Sequence, residues 1–500
     1  MLRTTATLAT GVIAAALVSA ATHADTATSP GTTPSTERSG SPVGEPIDPQ
    51  NWVNPDDMTW DDFRPVPGTD WSDPSLEPTK KQFKAAIVLV DYPNQPFAVT
   101  QPPESTPFGM PTEEAHDIAR EDVPEFYRKL LNVPGELNRG HTINEYWMED
   151  SAGKFGIDVT AFGPYRLPGE EYEYHLEGFG DDCPKTANCD RNFRQDALAK
   201  WEADAGEGVM DRFDNVFYIG AGEDESAVWQ EFGEMRFQTK EDVPDEFGPP
   251  EELKEADPTL TNWSKTRYVP WTSWKAAAAM WPNASGKTSI EAESSGRAVY
   301  AHEFSHNLGI GDNYNNPYGD PMRRTYSGIW DMLSRGTFNG PQGPHQRWHI
   351  PSTIGAQMGA HHMLRNKLDL GIVAPDSVVE LSREKLADKG VLTTEITARE
   401  VQGKGLVSGL NLELTGGDRS SCEDEGHTGD KAYLCDGGGY DNYTVEVVDR
   451  MGSDSFTPDS GVLLAKTKNK DDAPFIWVKD ANPQDIEMVD FTRPDGTEAM

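Results

Sequence analysis

Two histidines four residues apart, His302 and His306, bracket Glu303 in the segment HEFSHNLGIGD. On a helix, residues four apart share a face, so both imidazoles can aim a nitrogen at one metal ion. A carboxylate beside the first ligand can reach a water at the metal without occupying the metal, and zinc lowers the pKa of such a water from ~16 towards 7. Glu303 is therefore the expected general base. A catalytic zinc keeps three protein ligands and one open position. A Glu on a later helix is excluded as the third, because no Glu occurs between Glu303 and Glu380. In the other arrangement the helix stops at a Gly three residues after the second His, the chain turns back, and a ligand arrives three residues further on. Gly309 and Asp312 hold those places. H-E-x-x-H alone arises by chance in roughly one chain in fifty at this histidine content, and the two added residues bring coincidence below about one in a thousand.

The motif needs a helix to stand on. The spacing predicts one from Ser294 to Leu308, capped by Ser294 or Ser295, free of breakers from Val299, and ended by Gly309 in a left-handed conformation. Upstream, the apolar run from Phe83 to Val90 reads as a buried strand. Helices are expected near Val123 to Leu131 and Thr142 to Ser151, and strands at Gly156 to Phe162 and Asn215 to Ile219. After Leu370 the pattern turns to short alternating segments, Val378 to Leu381, Leu410 to Leu414, Tyr443 to Val448 and Val462 to Ala465, which read as strands.

Five hundred residues exceed what one core usually organises. The division expected is a signal peptide at 1–24, a linker or short pro-segment at 25–80, a peptidase domain at 81–370 and a β-rich domain at 371–500. The signal reading rests on Arg3, the apolar stretch LATGVIAAALVSA and the small residues Ala20, Ala21 and Ala24, with cleavage after Ala20 or Ala24. That apolar run is shorter than the roughly 20 residues a membrane span needs, so no stable membrane insertion is expected. A net charge of −39 would repel phosphate backbones, which argues against nucleic acid. Four cysteines fall into two close pairs, Cys183 with Cys189 and Cys422 with Cys435, and two local disulfides are expected in an exported, extracellular chain. In the segment ahead of residue 80, Trp52, Trp60, Phe63 and Trp71 either pin it to the body or are scattered surface contacts, and a carboxylate such as Asp56, Asp57 or Asp61 is a candidate zymogen block. Carboxylates near Asp181, Asp224, Asp320 and Asp430 are candidates for calcium or are solvated acidic turns. His345, His349, His361 and His362, with Tyr314 and Tyr326, either line a cleft or serve the surface and core.

HEFSHNLGIGD followed by GIWDMLSRG resembles the immune inhibitor A family of secreted bacterial metallopeptidases, relatives of the metzincins that use Asp in place of a third His. The resemblance extends through AAIVLVDYPNQPF, TINEYWMEDSAGKFGIDVTAFGPY and DNVFYIGAGE to YTVEVVDRMGSDSFTPDSGVLLAKTKN. It implies an α+β fold in which a metzincin-like domain, a twisted sheet plus the active-site helix, precedes a β-rich C-terminal domain. It also implies a methionine turn at Met332 beneath the metal. Two departures stand out: Ser305 replaces a Gly, and Gly311, Asp312, Asn313, Tyr314, Asn315 replace Pro-Asp-x-Tyr-Asp. The change at Asn315 leaves the number of ions open. The combined expectation is a secreted zinc endopeptidase acting on proteins or peptides, with one zinc on His302, His306 and Asp312, Glu303 as base, and calcium as a second candidate ion. The alternative is a catalytically inactive secreted protein whose metal is structural and whose C-terminal region binds a partner.

Overall fold

The computed structural model describes residues 10–14, 53–174, 183–224, 237–266, 269–314, 326–403, 405–424, 426–429, 432, 435–479, 491–492 and 498–499. The signal segment lies outside these residues except for Thr10–Ala14, whose backbone pairs antiparallel with Thr393–Thr397.

The apolar run becomes strand β1 (Lys81–Asp91), buried from Ala85 to Asp91 because neighbours cover both faces. Helices α1 (Val123–Asn132) and α2 (Ile143–Asp150) follow, then β2 (Phe155–Arg166), α3 (Phe193–Ala205) and β3 (Asn215–Gly220). Next come the hairpin β4 (Asn283–Ser285) and β5 (Thr288–Ala292), whose two-residue turn uses Gly286 at φ +66°, and then α4 (Arg297–Asn307) with the metal motif. The sheet order is β2-β1-β3-β5-β4. Strands β2, β1, β3 and β5 pair in parallel, and only the edge strand β4 runs antiparallel.

The helix α4 is buried from Arg297 to Ser305, which is why its apolar residues form no single stripe. Its start differs from the expected one. Gly296 is the N-cap and makes no side-chain cap bond. A Cβ there would sit 2.4 Å from the Ala356 carbonyl, which instead accepts the Ala298 N–H at 3.0 Å. A backbone carbonyl from a distant loop thus satisfies the helix end, and only glycine allows that approach. The two serines are engaged elsewhere: Ser294 Oγ donates to Asp224, and Ser295 Oγ accepts the Ala292 N–H. The C-terminal end is as expected, with Gly309 at φ +106° and the Ile310 N–H returning to the Ser305 carbonyl at 3.2 Å.

After a short helix α5 (Leu364–Asp369), a second sheet is built from β6 (Val378–Ser382), β7 (Gly409–Glu413), β8 (Asn442–Val448), β9 (Gly461–Thr467) and β10 (Ile476–Val478), in the order β10-β9-β8-β7-β6. Its residues Val448, Leu463, Ala465, Phe475, Ile476 and Val478 join the same apolar cluster as β1, β3 and α4. Part of the second sheet thus joins the core of the first, while Leu381, Leu410, Leu412, Val445 and Val447 form a separate cluster with Ile396 and Ala398. Both expected disulfides are present, Cys183 to Cys189 and Cys422 to Cys435. The chain is an α+β protein.

The N-terminal stretch is pinned by its aromatics. Trp60 stacks on the His141 ring at 5.4 Å, Phe63 meets the same ring edge-on at 4.5 Å, and Met58 is buried with Met358 and Phe456.

Beneath α4 an ion pair joins it to α2. Arg297, 1% exposed, donates to Glu145 at 2.8 Å and also to the carbonyls of Thr142, Gln357 and Met358. Burial would raise the Glu145 carboxyl, but His141, Arg297 and the Thr142 N–H bring it below its usual value. Removing one member of such a pair leaves a stranded charge. Arg297→Ala should lower stability by about 3–5 kcal/mol, read as a fall in urea midpoint at pH 7. Because the folded value of Glu145 is depressed, its contribution is present above the ordinary 4.5 and is lost as pH falls through the folded value. The gap between parent and variant should then narrow in acid; a gap unchanged down to pH 3 contradicts the assignment.

Candidate active site

His302 and His306 lie one turn apart on α4, and the loop after Gly309 brings Asp312 back to them. The three donors converge: His302 Nε2 to His306 Nε2 is 3.0 Å, His302 Nε2 to Asp312 Oδ1 is 3.1 Å, and His306 Nε2 to Asp312 Oδ1 is 3.2 Å. Among the described residues, this is the group of His, Cys, Asp or Glu donors that could hold a metal ion. Zinc bonds of roughly 2.0–2.1 Å at tetrahedral angles place neighbouring donors about 3.3 Å apart. The geometry fits a small cation; calcium, with bonds of 2.3–2.6 Å and oxygen ligands, would need a wider and harder set.

Each imidazole is oriented by a backbone carbonyl. His302 Nδ1 lies 2.7 Å from the Met332 carbonyl, and His306 Nδ1 lies 2.7 Å from that of Ile310. A carbonyl can only accept, so Nδ1 carries the proton on both rings and Nε2 is left for a cation. Met332 is fully buried in the main apolar cluster with residues of α4, and its backbone carbonyl is the one that orients His302. Burial opposes charge on His306, yet the hydrogen bond and charge of Asp312 outweigh it and lift the imidazole to about 9. A proton there plays the part of a missing positive charge.

Glu303 is 4% exposed and lines the same cleft, and its Oε2 has no hydrogen-bond partner. An orphaned buried carboxylate oxygen is costly unless something polar comes to it. Burial holds this carboxyl above its ordinary value, with the two imidazoles opposing and Asp312 adding to the rise. The cleft encloses about 330 Å³ and is walled by Trp281, Asn283 and Ala284 on one side and Tyr314, Thr337 and Phe338 among its other lining residues. Arg194 of α3 steadies the first wall by donating to the Asn283 carbonyl at 2.8 Å and to Thr288 Oγ1 at 3.0 Å.

The remaining candidates separate cleanly. Tyr314 is at the cleft, its hydroxyl 3.4 Å from His302 Nε2, whereas Tyr326 packs on Trp477. None of the four later histidines lines the cleft. His345 pairs with Asp56, and His349 stacks on Trp348. His361 and His362 are fully buried in an ionic cluster with Glu149, Asp150 and Lys367. Within it, Asp150, His362 and Ser305 are linked at 2.8 Å and 2.8 Å, the residue set of a nucleophilic hydrolase. All three have zero exposure, so no substrate reaches them and the set is structural. Ser305 Oγ also donates to the Ala301 carbonyl at 2.7 Å, so the His362 ring supplies the proton between them. No residue from 53–80 lines the cleft, and Asp56 is engaged with His345, so the expected carboxylate block is not made by the described part of that segment. Asp57 and Asp61 lie in short exposed turns. Of the calcium candidates, Asp224 is buried and bound to Ser294, and Asp181, Asp320 and Asp430 fall outside the described residues, as does Asn315.

Sequence reasoning missed the second tier: the carbonyls of Ile310 and Met332, the cleft walls Trp281 and Phe338, and the contacts of Asn313. Backbone acceptors carry no side-chain signature. The Thr-x-x-Glu start of α2, Thr142 to Glu145, was a legible capping box, but nothing local announced that Glu145 would also meet Arg297.

Comparison with known proteins agrees with this geometry. Residues 274–361 match the family model for the immune inhibitor A peptidase M6 catalytic domain, and residues 369–500 match a model described as a middle domain. A protein of Arthroderma benhamiae named "Putative secreted metallopeptidase" is 50% identical over 462 residues, which cover 91% of this chain and 66% of that protein. The chain thus spans just under two thirds of the length of that relative.

If the three donors take a cation, zinc at 100 times its dissociation constant should stabilise the metal-stripped protein by about 2.7 kcal/mol. The gain is read as a rise in Tm and should be absent in His306→Ala. An equal rise in parent and variant would place the cation elsewhere.

Proposed function

The chain belongs to the immune inhibitor A peptidase family, and on that premise we propose that it is a secreted, zinc-dependent endopeptidase with His302, His306 and Asp312 as ligands and Glu303 as general base. The observation that carries the reading is the meeting of three donors within 3.2 Å of one another beside a buried carboxylate with an unpartnered oxygen. Two imidazole nitrogens favour zinc over the hard cations.

Zinc held there supplies Lewis acidity, polarising a peptide carbonyl and bringing the pKa of water towards neutrality. The protein's own part is positional and acid–base. The carbonyls of Met332 and Ile310 fix the imidazole tautomers. Glu303 Oε2 accepts the proton of the attacking water and delivers it to the leaving amine, a role that suits a carboxyl whose proton affinity burial has increased. Tyr314, at the cleft beside His302, is placed to donate to an oxyanion.

Cleavage of internal bonds follows from the edge strand. β4 ends the first sheet and two of its residues, Asn283 and Ala284, line the cleft. An extended peptide added along such an edge is held by main-chain hydrogen bonds, which ask nothing of its termini. Substrates are then proteins and peptides in extended form. In this reading residues 81–370 form the metzincin-like catalytic unit and 371–500 the β-rich unit. Export is supported by the apolar stretch within residues 1–24, the two disulfides and the relative's name. Among the described residues no helix is long and apolar enough to cross a membrane.

Glu303→Gln should retain one zinc per chain and lose about 10²–10⁴ in the rate of casein digestion. Digestion at the parent rate would remove Glu303 from the mechanism. A parent protein that binds zinc but leaves casein intact, with and without chelator, would support the inactive binding protein.

A further inference from the structure

Asp312 differs from the two histidines in how it is held. The histidines stand on a buried helix, whereas Asp312 lies on an irregular loop after Gly309, with its side chain 55% exposed beside imidazoles at 4% and 18%. The Gly309 and Ile310 N–H groups and the Ile310 carbonyl tie the start of the loop to α4, so beyond Ile310 its position depends on what anchors the residues on either side of Asp312.

Both neighbours are anchored to one segment, the connection between β9 and β10. Before Asp312, the Gly311 N–H donates to Asp471 Oδ2 at 2.5 Å, and a Cβ at Gly311 would lie 3.2 Å from the Asp471 side chain. After it, Asn313 is fully buried and uses both ends of its amide. Its Oδ1 accepts from the N–H groups of Phe475 at 2.9 Å and Ile476 at 3.3 Å, while its Nδ2 donates to the Ile476 carbonyl at 2.8 Å and to Ser327 Oγ at 2.7 Å. The Asn313 backbone N–H donates to the Leu333 carbonyl, next to the Met332 carbonyl that orients His302. Asp471 is itself braced: Arg365 pairs with it at 2.6 Å, donates to the Lys468 carbonyl, and lies over the Phe475 ring at 4.8 Å.

We propose that Asp471 and Asn313 are positioning residues for the third metal ligand, so that the C-terminal sheet is part of the frame of the metal centre. The proposal rests on the zinc reading above and extends it to a segment around Asp471, more than 150 positions from the motif. The two anchors bracket Asp312 and remove the freedom that Gly309 and Gly311 would otherwise allow the loop. Partners bonded directly to a ligand typically change metal affinity by about 10–100-fold when lost, and anchors on both residues flanking Asp312 act on the same ligand through its backbone.

The test uses the full chain and zinc alone. Zinc dissociation constants are measured by competition with a chelating dye for the parent, Asp471→Ala, Asp471→Asn, Asn313→Ala and His302→Ala, and each protein's Tm is taken after metal is stripped. Asp471→Ala and Asn313→Ala should weaken zinc about 10–100-fold. Asp471→Asn keeps an oxygen for the Gly311 N–H and should recover most of the loss. Asp471 is partly exposed, so its alanine variant carries the test even where Asn313→Ala fails to fold. Zinc affinity in Asp471→Ala within twofold of the parent overturns the proposal, as does a fall confined to the metal-free Tm, which is what a purely structural contact would give. If His302→Ala binds zinc as tightly as the parent, the metal centre itself is misassigned, an outcome distinct from a failure of the anchors.

Discussion

Three electron-rich atoms, two imidazole nitrogens and a carboxylate oxygen, stand within 3.2 Å of one another at the floor of a cleft. Without a positive charge among them they repel, and a proton on His306 or a metal ion makes the arrangement favourable. Everything around the cleft can be understood as the means of holding them together in advance. A helix buried from Arg297 to Ser305 supplies the frame, two carbonyls select the tautomers, and a left-handed glycine turns the chain so that the third donor returns to the first two. The histidines come from a helix buried along most of its length, and the carboxylate comes from an exposed loop held by separate contacts.

That tying down reaches across the whole molecule. Beneath α4 lies a chain of buried charges. Asp150 is held well below the usual carboxylate range by Lys367, His362 and His361, and Arg399 pairs with Asp454 in two bonds at 2.7 Å and 2.8 Å. Asp454 also accepts the His361 N–H, and Glu149 accepts that of Ser453, so α2, the segment after the methionine turn and the C-terminal sheet meet in one network. Such networks add little net stability over an apolar core, because desolvation consumes most of the Coulombic gain. Their value here is geometric. The network reaches Ser305 through His362, and so fixes where the helix bearing His302 and His306 lies.

What could be read in advance follows from this division. His302, Glu303, His306, Gly309 and Asp312 lie within eleven residues, so their spacing alone encoded a helix, its end and a returning ligand. Strands such as β1 and β8 were legible because burial on one or both faces leaves a pattern within a few residues. The helix start was misplaced because the group that satisfies it, the Ala356 carbonyl, is some sixty residues away and leaves no trace near Ser294. The cleft walls were invisible for the same reason: Trp281 and Phe338 gain meaning only once β4 and the methionine turn face each other. Ser305 showed in the sequence only as a departure from glycine, yet its hydroxyl ties α4 to His362 of the buried histidine pair.

The boundary expected near residue 370 marks a change of pattern, yet part of the main core runs across it while a second cluster forms beyond it. Phe475 and Ile476 are wholly buried, belong to the apolar cluster of β1, β3 and α4, and present their backbone to Asn313. β10 is an edge strand, and its free edge is closed by that asparagine and by the Tyr326 carbonyl, which accepts from Val478. An edge that must be covered and a ligand loop that must be held are two separate liabilities, and here each resolves the other. The strand that needs capping is capped by the residue next to Asp312, so one asparagine serves both the edge of the C-terminal sheet and the loop at the cleft.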